Sequence, residues 1–241
     1  MSARNQRIAL LLTGVRDTLP LIIAAIPFGV VFGALAVGSG LSQAMAMAMS
    51  LFVFAGASQF IAVTLIASAT AAPVILLTVF VVNLRHMLYS ATLMSHVRGV
   101  PQWLRAPMAF WLTDETFAVV SNRLLRDPRA PGLVWYYLGS ALSMYLNWQL
   151  CTWIGMTLGA QVPDMTRWGL DVAMVVAFVG IVVPALRHRA EWACALTASV
   201  AAVLTHDWPH QSGLLLSSLL AIGVGVLLDR GRRPVEAEVA G

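Results

Sequence analysis

Asn83, Arg85, His86 and Tyr89 fall inside the apolar stretch 73–94, PVILLTVFVVNLRHMLYSATLM. A charged side chain at membrane depth costs about 2.5–3.5 kcal/mol on insertion scales. Residues that bear such a cost face a cavity, an ion path, a substrate or a fixed counter-charge. On a helix advancing about 100° per residue, Arg85, Tyr89, His86 and Asn83 lie within about 160° of one another. Leu77, Leu84 and Leu88 mark the other side. Such a helix offers a polar side to protein or water and an apolar side to lipid.

Arg85 has two readings. Its planar fork matches the carboxylate of a bound solute. Alternatively it pairs with an acid of the chain, such as Asp17, Asp114 or Glu115. His86 can carry protons near neutral pH or act as a neutral hydrogen-bonding residue between helices. Asn83 and Tyr89 are interhelical hydrogen-bonders or ligands.

Two further clusters carry chemistry. Asp114 and Glu115, between Thr113 and Thr116, sit in the short apolar segment 107–121. There they can take up protons, because desolvation favours the neutral acid, or meet an ammonium group; the alternative is a solvated helix end. Gly56, Ala57, Ser58 and Gln59 occupy the centre of the long apolar run 42–69. A half-helix beginning there would offer unpaired N–H groups to a carboxylate. The alternative is one long tilted helix with Gly56 in close packing. Ser58 as nucleophile with His86 as base would make an intramembrane serine hydrolase. The G-x-S at 56–58 is followed by Gln59 and Phe60, so the full nucleophile-elbow pattern is absent. A subunit that only stabilises a partner is a further reading.

The elements that must position these residues are long apolar runs. The chain is 59% hydrophobic and 11% charged, against about 25% charged in soluble domains. Its mean hydropathy is +0.79. The runs 19–38, 42–69, 73–94, 133–159, 170–186, 190–205 and 213–228 are near or above the roughly 17–25 residues of a helical span. They are continuous rather than alternating, which argues against a β-barrel. All fifteen basic residues are Arg, most of them flanking apolar runs, so the net charge of +4 carries topology rather than a nucleic-acid surface. Cys151 and Cys194 read as small buried hydrophobes. His206 and His210 have i,i+4 spacing around Asp207-Trp208-Pro209, too few ligands for a zinc site. No nucleotide-binding G-x-x-x-x-G-K-[ST] occurs, and no cofactor is expected.

Arginine placement sets an expected topology. Arg4, Arg7 and Arg16 put the N-terminus in the cytoplasm, with residues 1–20 a retained lead-in helix. The run 42–69 then dips in from outside and returns, and 107–121, basic on both flanks, enters from the cytoplasm. This leaves thirteen arginines cytoplasmic, Arg167 outside and Arg85 in the membrane. The expected fold is an all-α polytopic transmembrane bundle of about six full spans plus two interrupted or re-entrant elements, with both termini cytoplasmic. Residues 1–229 form a single transport domain and 230–241 a short disordered tail. Broken helices entering from opposite faces are a transporter arrangement.

Five stretches in order resemble the AzlC family, the large subunits of branched-chain amino-acid exporters. They are RDTLPL at 16–21, IPFGVVFG at 26–33, FAGASQF at 54–60, VNLRHMLYS at 82–90 and LTDETFAV at 112–119. The resemblance is strong through Val119 and mostly hydropathic afterwards. It implies a multi-pass permease of a bacterial inner membrane, exporting valine, leucine, isoleucine and methionine beside a small hydrophobic AzlD-like subunit. The family's motif residues fall on Gly56, Ser58, Gln59, Asn83, Arg85, His86, Asp114 and Glu115. Residue reading and resemblance together give a solute site of Arg85, Asn83, Tyr89, Gly56, Ser58 and Gln59. His86, Asp114 and Glu115 are the expected proton or ammonium partners.

Overall fold

The computed structural model describes residues 2–159, 188–208 and 212–229, together with Val179, Val183 and Leu186. The expected outer loop 160–169, most of the expected span 170–186, His210 and the tail 230–241 lie outside the described residues. The chain divides into two compact units, Met1–Ile181 and Val182–Gly241. The described residues of the first unit hold seven helices: α1 (Ala3–Gly38), α2 (Gln43–Val53), α3 (Gly56–Ala67), α4 (Ala72–Val97), α5 (Gln102–Phe110), α6 (Asp114–Arg126) and α7 (Leu133–Gly159). Those of the second hold α8 (Arg189–Leu204) and α9 (Ser212–Asp229), which pack on each other. No strand occurs among the described residues, so the all-α expectation holds.

Ser2 caps α1, its hydroxyl accepting from the Asn5 N–H. The helix runs unbroken through Arg16, Asp17, Pro20 and Pro27. The lead-in and the first apolar run are therefore one element. At 1.5 Å per residue its 36 residues reach about 54 Å, well beyond a hydrocarbon core of about 30 Å. Two described helices, Arg4–Gly38 and Ala72–Val97, are long and apolar enough to cross a membrane. Helix α7 is as long, but carries Tyr136, Tyr137, Tyr145, Asn147 and Gln149. Its Tyr136, Tyr137, Met144, Trp148, Cys151 and Met156 are buried, so one side of this helix faces protein, while Leu146, Leu150 and Trp153 are exposed on the other.

Helices α1 and α7 lie side by side and run in the same direction. Gly139 rests on the Leu11 carbonyl near one end, and Gly33 rests on Thr152 and Met156 near the other. Between them the Thr18 hydroxyl donates to Ser140 Oγ at 2.7 Å, and Asn147 Nδ2 donates to the Ile22 carbonyl at 3.4 Å. Small residues allow this approach, as in membrane helix pairs generally. Phe32 of α1 then stacks on Trp148 and meets Phe60 edge-on, joining α3 to the same core.

The run 42–69 is two helices rather than one. Phe54 ends α2 in the left-handed region at φ 40°, ψ 46°, and Ala55 is extended. A left-handed non-glycine residue costs about 1–2 kcal/mol. Burial of the Phe54 ring, edge-on to Tyr145 at 4.8 Å, offsets that cost. A helix end also frees its last carbonyls. Helix α7 pairs two of them: Tyr145 Oη donates to Leu51 O and Gln149 Nε2 to Ser50 O. The segment 107–121 is likewise interrupted. Helix α5 stops at Phe110, and α6 starts at Asp114 behind the Thr113 cap, whose hydroxyl accepts from the Thr116 N–H. Tyr137 of α7 donates to the Met108 carbonyl at 2.5 Å.

The seam predicts a contrast. Gly139→Val drives a side chain into the Leu11 backbone and should cost about 1–3 kcal/mol. Gly38→Ala meets nothing within 4 Å and should be neutral. Thermal unfolding of the purified protein in detergent checks both, and equal melting of the two variants would contradict the packing described.

Candidate functional site

The predicted residues come from three elements. Gly56, Ser58 and Gln59 form the first turn of α3, Asn83, Arg85, His86 and Tyr89 lie on α4, and Asp114 and Glu115 open α6. Helix α4 is the hub. Ser58 Oγ donates to Asn83 Oδ1 at 2.6 Å, tying α3 to α4. One turn of helix further on, α4 is tied to α6. Arg85 Nη1 pairs with Asp114 Oδ2 at 2.8 Å, and Tyr89 Oη donates to Asp114 Oδ1 at 2.5 Å. Both oxygens of one carboxylate are thus engaged from one helix face.

Of the three acids open to Arg85, the partner is Asp114. Asp17 instead accepts from Tyr136 Oη at 2.8 Å. Glu115 is half-buried beside the pair. The position of Asp114 suits an anion, because the N-terminal turn of a helix carries partial positive charge. The pair is not sealed: the side chains of Arg85 and Asp114 remain 23% and 15% exposed. The guanidinium also has bonding capacity left, since Arg85 Nε is buried without a partner among the described residues.

Gln59 is fully buried, and neither of its amide atoms has a hydrogen-bond partner among the described residues. A buried amide left unpaired costs about 1–3 kcal/mol, so this side chain is poised to accept and donate. Gly56 sits under the Trp148 ring, where an added Cβ would come within 3.0 Å of Cη2. A larger residue there would push the start of α3 off α7. His86 Nδ1 lies 3.2 Å from the carbonyl of Asn83 in its own helix, and its ring meets Tyr89 edge-on at 5.8 Å. Ser58 is therefore bonded to an amide oxygen and His86 to a backbone carbonyl. The nucleophile–base bond that a serine hydrolase needs is not the one made.

Sequence reasoning missed Phe117, whose ring stacks on Tyr89 at 4.4 Å and holds the phenol over Asp114. Its position three residues after Asp114, on the same helical face, is the signal that could have found it. It also missed Tyr145 and Trp148, which support the α3 break from α7. The apolar side of α4 is as expected: Leu77, Leu84 and Leu88 are exposed.

The profile of the AzlC protein family matches residues 20–162, which include every residue of this site. This chain belongs to the AzlC family. It is 32% identical to the inner membrane protein YgaZ of Escherichia coli K12, over 74% of this chain and 70% of that one. It is 27% identical to the branched-chain amino acid transport protein AzlC of Bacillus subtilis 168, over 100% of this chain and 92% of the relative. An uncharacterized membrane protein of Archaeoglobus fulgidus is 32% identical over 73% of this chain and 76% of its own length. No solved structure matches. Two of these three relatives are named as membrane proteins, and this AzlC-family chain, with its long apolar helices, is one too.

Removing one partner of the Arg85–Asp114 pair leaves a stranded charge. Asp114→Asn should cost about 2–4 kcal/mol, between the values for exposed and fully buried pairs. Adding Arg85→Gln to that variant should recover part of the loss. A double-mutant cycle on thermal unfolding measures the coupling; strictly additive losses would mean that the pair contributes nothing to the fold.

Proposed function

We propose that this chain is the large subunit of a secondary transporter that exports branched-chain amino acids. Valine, leucine and isoleucine are its substrates, with methionine as a fourth. It works in a bacterial inner membrane beside a small, hydrophobic AzlD-like subunit. The observation that carries this reading is the Arg85–Asp114 pair, partly open and placed at the start of an interrupted helix. A zwitterionic amino acid carries the same two charges as the pair. Its carboxylate competes with Asp114 for the Arg85 fork, and its ammonium competes with Arg85 for Asp114. Parting the pair onto the substrate keeps both charges compensated, so occupancy does not strand a charge at membrane depth.

The neighbouring groups fit the same reading. Gln59 offers an unspent amide, and Ser58 and Asn83 fix the first turn of α3 to α4. Glu115 and His86 are the titratable groups beside the pair and serve as proton carriers. The Bacillus subtilis relative is named for branched-chain amino acid transport, which supports the substrate class. The two helix breaks, at 54–55 and 111–113, support a topology of six full spans with two interrupted elements. Both termini are cytoplasmic in that topology, and the apolar side of α4 faces lipid. The whole forms one transport domain over residues 1–229.

Inverted membrane vesicles carrying this chain and its small partner should accumulate labelled valine when a proton gradient is imposed. Arg85→Ala should lower the rate by at least about tenfold, the worth of one charge-assisted hydrogen bond, and Gln59→Ala by less. Absence of gradient-dependent uptake would refute the transport reading. Full activity of Arg85→Ala would take Arg85 out of the site.

A further inference from the structure

At the other end of α6 lies a second place where charges of both signs stand without an ion pair among the described residues. An open cavity of about 490 Å³ is lined by Asp17, Asn122, Arg123, Arg126, Asp127 and Tyr136 among others. This is within the roughly 300–1,000 Å³ of small-molecule sites. Its walls come from α1, from the second half of α6 with the loop that follows it, and from the start of α7. The framework is held firmly. Tyr136 is buried and its hydroxyl donates to Asp17, while the Arg123 guanidinium lies 4.2 Å over the Tyr136 ring.

Asp17 accepts from Tyr136 and Asp127 from the Arg129 N–H, but neither carboxylate is neutralised by these bonds. Two arginines and two aspartates line the cavity, yet none of the four forms an ion pair within 4 Å among the described residues. Arg123 Nε is buried and has no hydrogen-bond partner there. A simple anion entering this cavity meets two carboxylates, and a simple cation meets two guanidinium groups. A small molecule with one charge of each sign meets a complement for both.

We propose that this cavity is a second amino-acid site, in series with the Arg85–Asp114 pair. Arg123 and Arg126 hold the α-carboxylate, and Asp17 and Asp127 hold the ammonium. The ligand rests on the transport reading above; the location rests on the cavity's own residues. Asp114 and Arg126 are separated by about 18 Å along one helix, so α6 carries the two sites at its two ends. The arginines around its C-terminal end place the cavity at the cytoplasmic face. An exported solute meets this cavity first.

The test is equilibrium binding of radiolabelled leucine to the purified full chain together with its small partner in phosphatidylcholine nanodiscs. The expected result is two classes of site per chain. Arg126→Gln and Asp127→Asn, both at exposed positions, should each weaken one class by about tenfold or more. The class abolished by Arg85→Ala should survive in these variants, and they should melt with the parent chain. A single class that neither variant alters would overturn the second site and leave the transport reading standing. Loss of one class when phosphatidylglycerol is added to the discs would give the cavity to a lipid headgroup and overturn the proposal. Failure of leucine to bind anywhere would overturn both readings together.

Discussion

A helix broken among apolar side chains frees carbonyls and N–H groups that lipid cannot satisfy, and every other feature of this molecule follows from where those groups go. Three side chains of α7 take up three such carbonyls: Tyr137 reaches Met108, Tyr145 reaches Leu51 and Gln149 reaches Ser50. This accounts for a composition that is odd for a long apolar helix. The tyrosines, Asn147 and Gln149 of α7 lower its hydropathy, and three of them, Tyr137, Tyr145 and Gln149, are what allows two other elements to be discontinuous. The glycines shared with α1 bring the two helices close enough to form one rigid spine. Without that spine the left-handed Phe54 would have no buried seat to offset its strain.

The breaks in turn create the site. Because α3 and α6 each start at a break, their first turns lie against α4 and not at a distant helix end. Ser58 and Asp114 are then presented to Asn83, Arg85 and Tyr89 on one face of one helix. The remaining N-terminal dipole of α6 steadies the Asp114 carboxylate. The arrangement joins a fixed carboxylate, a fixed guanidinium and an unpaired amide within a few residues of two discontinuities. These are the three features on which the proposed recognition of a zwitterion rests.

Much of this was legible in the residues. The polar face of α4 follows from the 100° step, and the same step puts Leu77, Leu84 and Leu88 on the exposed side. The excess length of the run 42–69 and its small central residues signalled a break, which falls at Phe54 and Ala55, just before Gly56. In the second interrupted element, Thr113 followed by two acids is a helix start signal, yet the run around it reads as one short segment because Trp111 and Leu112 are as apolar as their neighbours. The partner of Arg85 was open among three acids, because spacing across separate helices carries no information about contact. The role of α7 was hidden for the same reason: a tyrosine that caps a carbonyl of another helix looks, in sequence, like one more aromatic in an apolar run. The first helix was read as two pieces because Arg16, Asp17 and Pro20 resemble a boundary; a helix about 54 Å long absorbs them on turns that need not lie in hydrocarbon.

Tyr145 has a position with mechanical meaning. Its ring meets Phe54 at one discontinuity and lies 6.1–6.2 Å from Phe110 and Trp111 at the other, while its hydroxyl grips the last turn of α2. Both breaks lean on this one plate. The two breaks therefore share one keystone ring, and a change of packing at either is felt by the same side chain.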